Sequence, residues 1–212
     1  VYSPLTYVLP EKRVAYEKKY DMVVGSNNSV FRQIDREQSL VGLMRVGILK
    51  RLESSINSFA LTVENILNKI DRTIEAIEQR QLDYDAEMDI SEIDIDDPEF
   101  ESMMFGNNVK VLLQDMDLIK WKQDLLADKD KLETILLEAI NVTPDRDAKL
   151  IELRTLIENK INNPINPDNK KVIVFTAFAD TARYLYKHLS EEFAGKGIYS
   201  AIVTGSGDNH ST

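Results

Sequence analysis

From Leu49 onward, Leu49, Leu52, Ile56, Phe59, Val63, Ile66 and Ile70 recur at alternating steps of three and four, and Ile74 and Ile77 extend the row. That spacing is a heptad seam, a narrow apolar stripe along a helix that requires a partner helix to cover it. Between Ser39 and Gln81 there is no proline, and after Gly47 no glycine, so the pattern predicts one unbroken helix with Ser39 as its N-cap. Its 43 residues would span ~64 Å at 1.5 Å per residue. Such a length exceeds the interior of a small domain, so the heptad part is expected to project as an arm. The opening turns differ. Leu40, Val41, Leu43, Met44, Val46, Ile48 and Leu49 go nearly all the way round the helix, the mark of a buried base, and Gly42 and Gly47 allow close backbone approach there.

The expected partner runs from about Val109 to Ile140, where Val109, Leu112, Met116, Ile119, Leu126, Leu132, Leu136 and Ile140 form a helical stripe widened by Leu113, Leu125 and Ile135. Its regularity slips near Trp121–Asp130, which predicts a local bend or a change of face. Asp83–Asn108 is long enough to reverse the chain, giving an antiparallel helical hairpin over 39–143 with an acidic loop at 82–108. Residues 83–101 hold ten acids and no Lys or Arg. They suit a solvated, self-repelling loop, or alternatively a nucleic-acid mimic covering a basic groove. They also account for the formal net charge of −10, because the other 26 acids are balanced by 26 bases. Upstream, residues 1–38 read as a connector that partly packs on something else: an extended Leu5–Leu9 ended by Pro10, a helical pattern over Glu11–Val24, and a Gly25–Ser29 loop.

Pro144 breaks the hairpin, and Asp145–Ile161 predicts a third helix. After a loop rich in Asn and Pro comes Val172-Ile173-Val174-Phe175, an unbroken apolar run of the kind a strand buried on both faces carries. Asp180–Phe193 is a predicted helix and Ile198–Val203 a second strand, followed by Thr204-Gly205-Ser206-Gly207. Strand, helix and strand at this spacing imply a parallel right-handed crossover. The fold class expected is therefore mainly α, with a partial α/β part over 144–212.

Composition excludes several classes. There is no cysteine, so disulfides and Cys-type zinc sites are out, and a reducing compartment is expected. Two histidines cannot build a His-rich metal centre, and no metal ligand set is expected. No apolar run approaches the ~18 residues of a membrane span. The Val1-Tyr2-Ser3-Pro4 start has no initiating Met or signal peptide and reads as a cut inside a longer chain. No Gly-Lys-Ser/Thr phosphate loop occurs, and no nucleophile–base set appears. At the carboxyl end of the first strand, Thr176, Asp180 and Thr181 offer hydroxyls and a helix start suited to phosphate oxygens, although Asp180 or Thr181 as a plain helix cap serves equally well. Thr204–Gly207 is a weak signal, most simply a loop.

The run from Lys170 to Leu185 (KKVIVFTAFADTARYL) resembles the opening strand of the second RecA-like lobe of superfamily 2 helicases, in the wording of the Swi/Snf-type branch. Leu49-Lys50-Arg51-Leu52-Glu53-Ser54-Ser55-Ile56 with Phe59 is similar to a helix found between the two motor lobes in a bacterial group of that branch. The resemblance is strongest over 40–60 and 145–206. It implies a piece of an ATP-dependent DNA helicase or translocase, cytoplasmic and nucleoid-associated, that uses ATP and Mg2+ as an intact protein. On this view 1–38 is an interlobe connector, and the first RecA-like lobe of the same protein is a partner. The resemblance places Thr176, Ala177, Asp180 and Thr181, and also Thr204, Gly205 and Ser206, beside the nucleic-acid backbone. It leaves Arg45, Lys50 and Arg51 to DNA, to carboxylates of the motor, or to a solvated face. The segments that bind and cleave ATP are missing, so no catalytic residue falls in this chain and no ATPase activity is expected of it alone. Two other readings stand beside this one. The first is a non-enzymatic coiled-coil interaction module on a small α/β base, with a protein partner for the arm. The second is a mononucleotide-binding domain using Thr204–Gly207, disfavoured by the glycine-free turn at Thr176–Asp180.

Overall fold

The computed structural model describes residues 3–24, 29–79, 111–167, 169–205, 207 and 209–212. The acidic segment 83–101 lies outside the described residues. The protein is mainly helical, with helices α1 (Pro10–Tyr20), α2 (Gln33–Ser54), α3 (Ile56–Glu78), α4 (Leu118–Ile140), α5 (Ala148–Asn162) and α6 (Ala179–Ala194). Two short antiparallel strand pairs accompany them. β1 (Met22–Val24) pairs with β2 (Ser29–Phe31), placing Val23 opposite Val30, and β3 (Ala201–Ile202) pairs with β4 (His210–Ser211), placing Ile202 opposite His210. The chain forms two compact units: Val1–Ile48 with Glu64–Thr134, and Leu49–Val63 with Ile135–Thr212.

In the first unit, Ile70, Ile74 and Ile77 of α3 pack into one core with Leu5, Val8, Tyr16, Val111, Leu113, Met116, Trp121 and Leu125. The heptad residues of this part are thus covered by α4 and also by the N-terminal segment, which packs into the same core. Lys129 pairs with Asp71 at 2.5 Å and Lys122 with Glu78 at 2.7 Å. Moving forward along α4 moves backward along α3, so the two helices run antiparallel, as the seam requires. Tyr7 stacks on Trp121 with ring centroids 5.9 Å apart. Leu9 N–H donates to the Asp115 carbonyl and Asp117 N–H to the Tyr7 carbonyl, stitching the N-terminal segment to the chain before α4.

Several boundaries differ from the expectations. Pro10 opens α1 instead of ending a strand, because proline is preorganised for the first helical position. α2 starts at Gln33, whose N–H donates to Asp21 Oδ1 at 2.9 Å. Ser39 sits inside that helix with its hydroxyl on the Asp35 carbonyl. The expected all-round burial of its base narrows to Leu40 and Met44, while Val46 and Leu49 are exposed. The partner helix begins only at Leu118, because residues 111–117 are committed to the bridge with Val8 and to a 3-10 turn. α4 is one uninterrupted helix. Its buried face is Trp121 and Leu125 with Leu132 against them, and Ile119, expected on the stripe, is 75% exposed.

The second unit is built on Leu150, Tyr184, Leu189 and Phe193. Asp147 caps α5 by accepting the Lys149 and Leu150 N–H groups and also accepts the Tyr184 hydroxyl at 3.0 Å. That bond joins α5 to α6 through one buried carboxylate. Val172–Phe175 does not form the buried strand expected. The run is outside the described strand pairs and exposed, Phe175 by 90%. β3 falls where the second strand was expected, but it pairs with β4, antiparallel, rather than with 172–175. Extended backbone counts as sheet only when a neighbouring strand takes its N–H and C=O groups, and no described strand lies beside 172–175.

Candidate nucleic-acid interface

Unlike the predicted helix Ser39–Gln81, α2 and α3 are separate helices. Ser55 stands between them and caps α3, its Oγ accepting the Ser58 N–H at 3.1 Å. Serine competes with the helical backbone in this way, which is why it favours caps over interiors. Within the second unit the break lies against the turn that precedes α6. The Ser54 hydroxyl shares hydrogen bonds with Thr181 (2.8 Å) and Thr176 (3.3 Å), and the Ser55 hydroxyl shares one with Thr181 at 2.9 Å. Arg51 Nη1 meets Asp180 Oδ2 at 3.1 Å and donates to Ser58 Oγ at 3.3 Å. Its guanidinium also lies 4.7 Å from the Phe178 ring centroid, a cation–π distance. Asp180 takes a second cation, Arg183, at 3.2 Å.

The structure thus brings Arg51, Thr176, Asp180 and Thr181 into one polar cluster and adds Ser54, Ser55, Ser58 and Phe178. Thr181 is 4% exposed, so its hydroxyl is spent inside the protein. Thr176 is half-buried at the rim and Ala177 is exposed. Neither Asp180 nor Thr181 is the N-cap of α6; that position is Phe178, which makes no side-chain cap. Arg45 and Lys50 are exposed on α2. Thr204 and Gly205 belong to a separate turn, in which Gly207 N–H donates to the Thr204 carbonyl and Thr204 N–H to Asn209 Oδ1. Gly207, at φ 85°, is where that turn requires glycine; a side chain at Gly205 would meet nothing. Ser206 lies outside the described residues.

Chemically the cluster is a set of hydroxyls around a neutralised ion pair, without a base and nucleophile in line. Among the described residues no group of three or more His, Asp or Glu is placed to hold a metal ion, and no helix is long and apolar enough to cross a membrane. His188 lies edge-on to Tyr184 with centroids 4.8 Å apart, and burial, then the neighbouring Lys187 and Arg154, push its pKa down. It is a packed aromatic, not a poised base. Ser54 and Ser55 stand in the motif similar to the interlobe helix without a role of their own, and Ser58 is not singled out, because the heptad row runs through all three without interruption. Three serines within five residues was the available signal, since such clusters mark caps and turns. Compared with family models, with curated proteins and with solved structures, the chain matches none of them.

Proposed function

We propose that the chain is part of an ATP-dependent DNA translocase resembling the bacterial Swi/Snf-type group of superfamily 2. In this reading 144–212 is the opening of a RecA-like second lobe, and Val172–Phe175 becomes a strand once sheet neighbours flank it. The observation that carries the reading is the cluster itself. The two stretches that bear the resemblance, 49–59 and 170–185, lie more than a hundred residues apart and are packed together through Arg51, Ser54, Thr176, Asp180 and Thr181. Thr176 and Ala177 at the exposed rim are the residues assigned to a DNA phosphate. Arg45 and Lys50 supply positive charge, and Thr204–Ser206 borders the same path. ATP and Mg2+ bind elsewhere in the intact motor.

The test is ATP hydrolysis. The full-length gene product is expected to hydrolyse ATP faster with duplex DNA than without it, and this chain alone to give no turnover above a buffer blank, since it has no phosphate loop to hold nucleotide. Turnover by the chain alone, abolished by a substitution within it, contradicts the reading. A second reading, an interaction module, is favoured by one observation: Leu137 and Ile140 at the end of α4 and Leu156 on α5 are well exposed.

A further inference from the structure

The break between α2 and α3 is held from outside the helices. In a continuous helix the Asn57 N–H would donate to the Glu53 carbonyl and the Ser58 N–H to the Ser54 carbonyl. Instead the Lys149 ammonium donates to the Glu53 carbonyl, and the Ser58 N–H goes to Ser55 Oγ. Thr181 engages the hydroxyls of both Ser54 and Ser55, and Asp180 holds Arg51 one turn earlier. On either side the helical pattern is intact: Ser55 N–H still donates to the Arg51 carbonyl and Phe59 N–H to the Ser55 carbonyl. The local sequence favours continuity. No Pro or Gly lies between Ile48 and Glu78, and the heptad row Leu49, Leu52, Ile56, Phe59, Val63 keeps its phase across the break.

We propose that Ser54–Ser55 is a conformational hinge with two states: a broken one latched by Lys149, Asp180 and Thr181, and a straight one in which α2 and α3 join as a single helix. The latch residues come from the start of α5 and the start of α6, so anything that shifts either start acts on the hinge. Straightening restores the three helical bonds that the break forgoes, at Ile56, Asn57 and Ser58. It costs the latch bonds, so the two states are set against each other by a small number of hydrogen bonds of similar kind.

The chain has no cysteine, so spin labels at Arg45→Cys and Asn65→Cys, both exposed helix positions, report the hinge by pulsed dipolar spectroscopy. A continuous helix puts the labelled backbone positions ~30 Å apart over twenty residues. The chain carrying only the labels is expected to show a shorter distance. Lys149→Met with Thr181→Val is expected to move the population toward ~30 Å. If that pair loses its cooperative melting transition, Ser54→Ala with Ser55→Ala acts on the hinge directly, because alanine is the best helix former. A distribution unchanged in the variants that fold, or one already at ~30 Å in the chain carrying only the labels, overturns the proposal.

Discussion

Glu37 is fully buried on α2. Its Oε2 accepts from the Ser3 hydroxyl at 3.1 Å and the Leu5 N–H at 3.3 Å, fastening the N-terminal segment to the helix. Its Oε1 has no partner among the described residues. Burial is the main cause that raises its pKa to about 7, against the lowering effect of those two bonds. The sign of the consequence follows from proton uptake. Between the ordinary carboxylate range and pH 7 the folded state holds a proton that the unfolded state has released, so this group's contribution is fully present below about pH 4.5 and lost as pH rises through about 7. Glu37→Gln keeps the shape and removes the charge. It is expected to stabilise the protein at pH 8 by on the order of 2 kcal/mol and to flatten the pH dependence of stability between pH 5 and 7. Urea unfolding at several pH values measures both, and a slope unchanged by the substitution would show that Glu37 is ionised in the fold. At Asp147 two roles fall on one residue, the cap of α5 and the bond to Tyr184. Asp147→Ala is expected to cost about 2 kcal/mol or more, visible as a lower urea midpoint. Asp147→Asn, whose single Oδ1 can still accept the two cap N–H groups while its amide N–H faces the Tyr184 oxygen as a donor, is expected to recover the cap part of the loss.

At the scale of the element, α3 packs along the face its spacing specified. Phe59 and Val63 are buried; Ile70, Ile74 and Ile77 are buried in the core of the first unit, and Ile66 is partly buried against that core. Ile70→Asp places a charge in that core and is expected to cost several kcal/mol. Ile66→Asp, at the margin, is expected to cost less, and equal losses in thermal melts of the two would refute the assigned face. α5 and α6 were legible within a few residues because periodicity and punctuation agree there. α4 was legible in type and partly in face, since Leu125 and Leu132 stood on the expected stripe. Trp121 is buried because Tyr7 stacks on it, a long-range contact that periodicity does not carry. The break at Ser55 was hidden by a heptad row that stays in phase across it. The strand expected at Val172–Phe175 failed for a different reason: composition states a preference for sheet, but a strand exists only beside another. Of the candidate site, the pairing of Arg51 with Asp180 joins two residues that the resemblance had singled out separately. The serines that complete the cluster carried only the general preference of serine for helix ends.

At the scale of the whole molecule, two cores coexist in one chain, one around Trp121 and one around Phe193. Trp121→Ala and Phe193→Ala are each expected to cost about 3–5 kcal/mol by leaving a cavity. Hydrogen exchange should show the loss mainly in residues 64–78 and 118–134 for the first and in 148–162 and 179–194 for the second. A uniform loss in both would mean that the two cores unfold as one. The functional claim is that the rim of the polar cluster lies against a DNA phosphate. Ser54 shares hydrogen bonds with both Thr176 and Thr181, so removing its hydroxyl costs the cluster these two bonds, while only Thr176 is assigned to phosphate. The most direct measurement is therefore DNA-stimulated ATP hydrolysis by the full-length protein carrying Thr176→Ala or, separately, Ser54→Ala. Loss of one hydrogen bond of about 0.5–1.5 kcal/mol predicts that Thr176→Ala raises the DNA concentration for half-saturation by roughly two- to twelvefold, with the ATP requirement unchanged and Ser54→Ala near the unmodified value. Normal DNA half-saturation with weakened ATP use in Thr176→Ala, or no stimulation by DNA in the unmodified protein, would contradict the account.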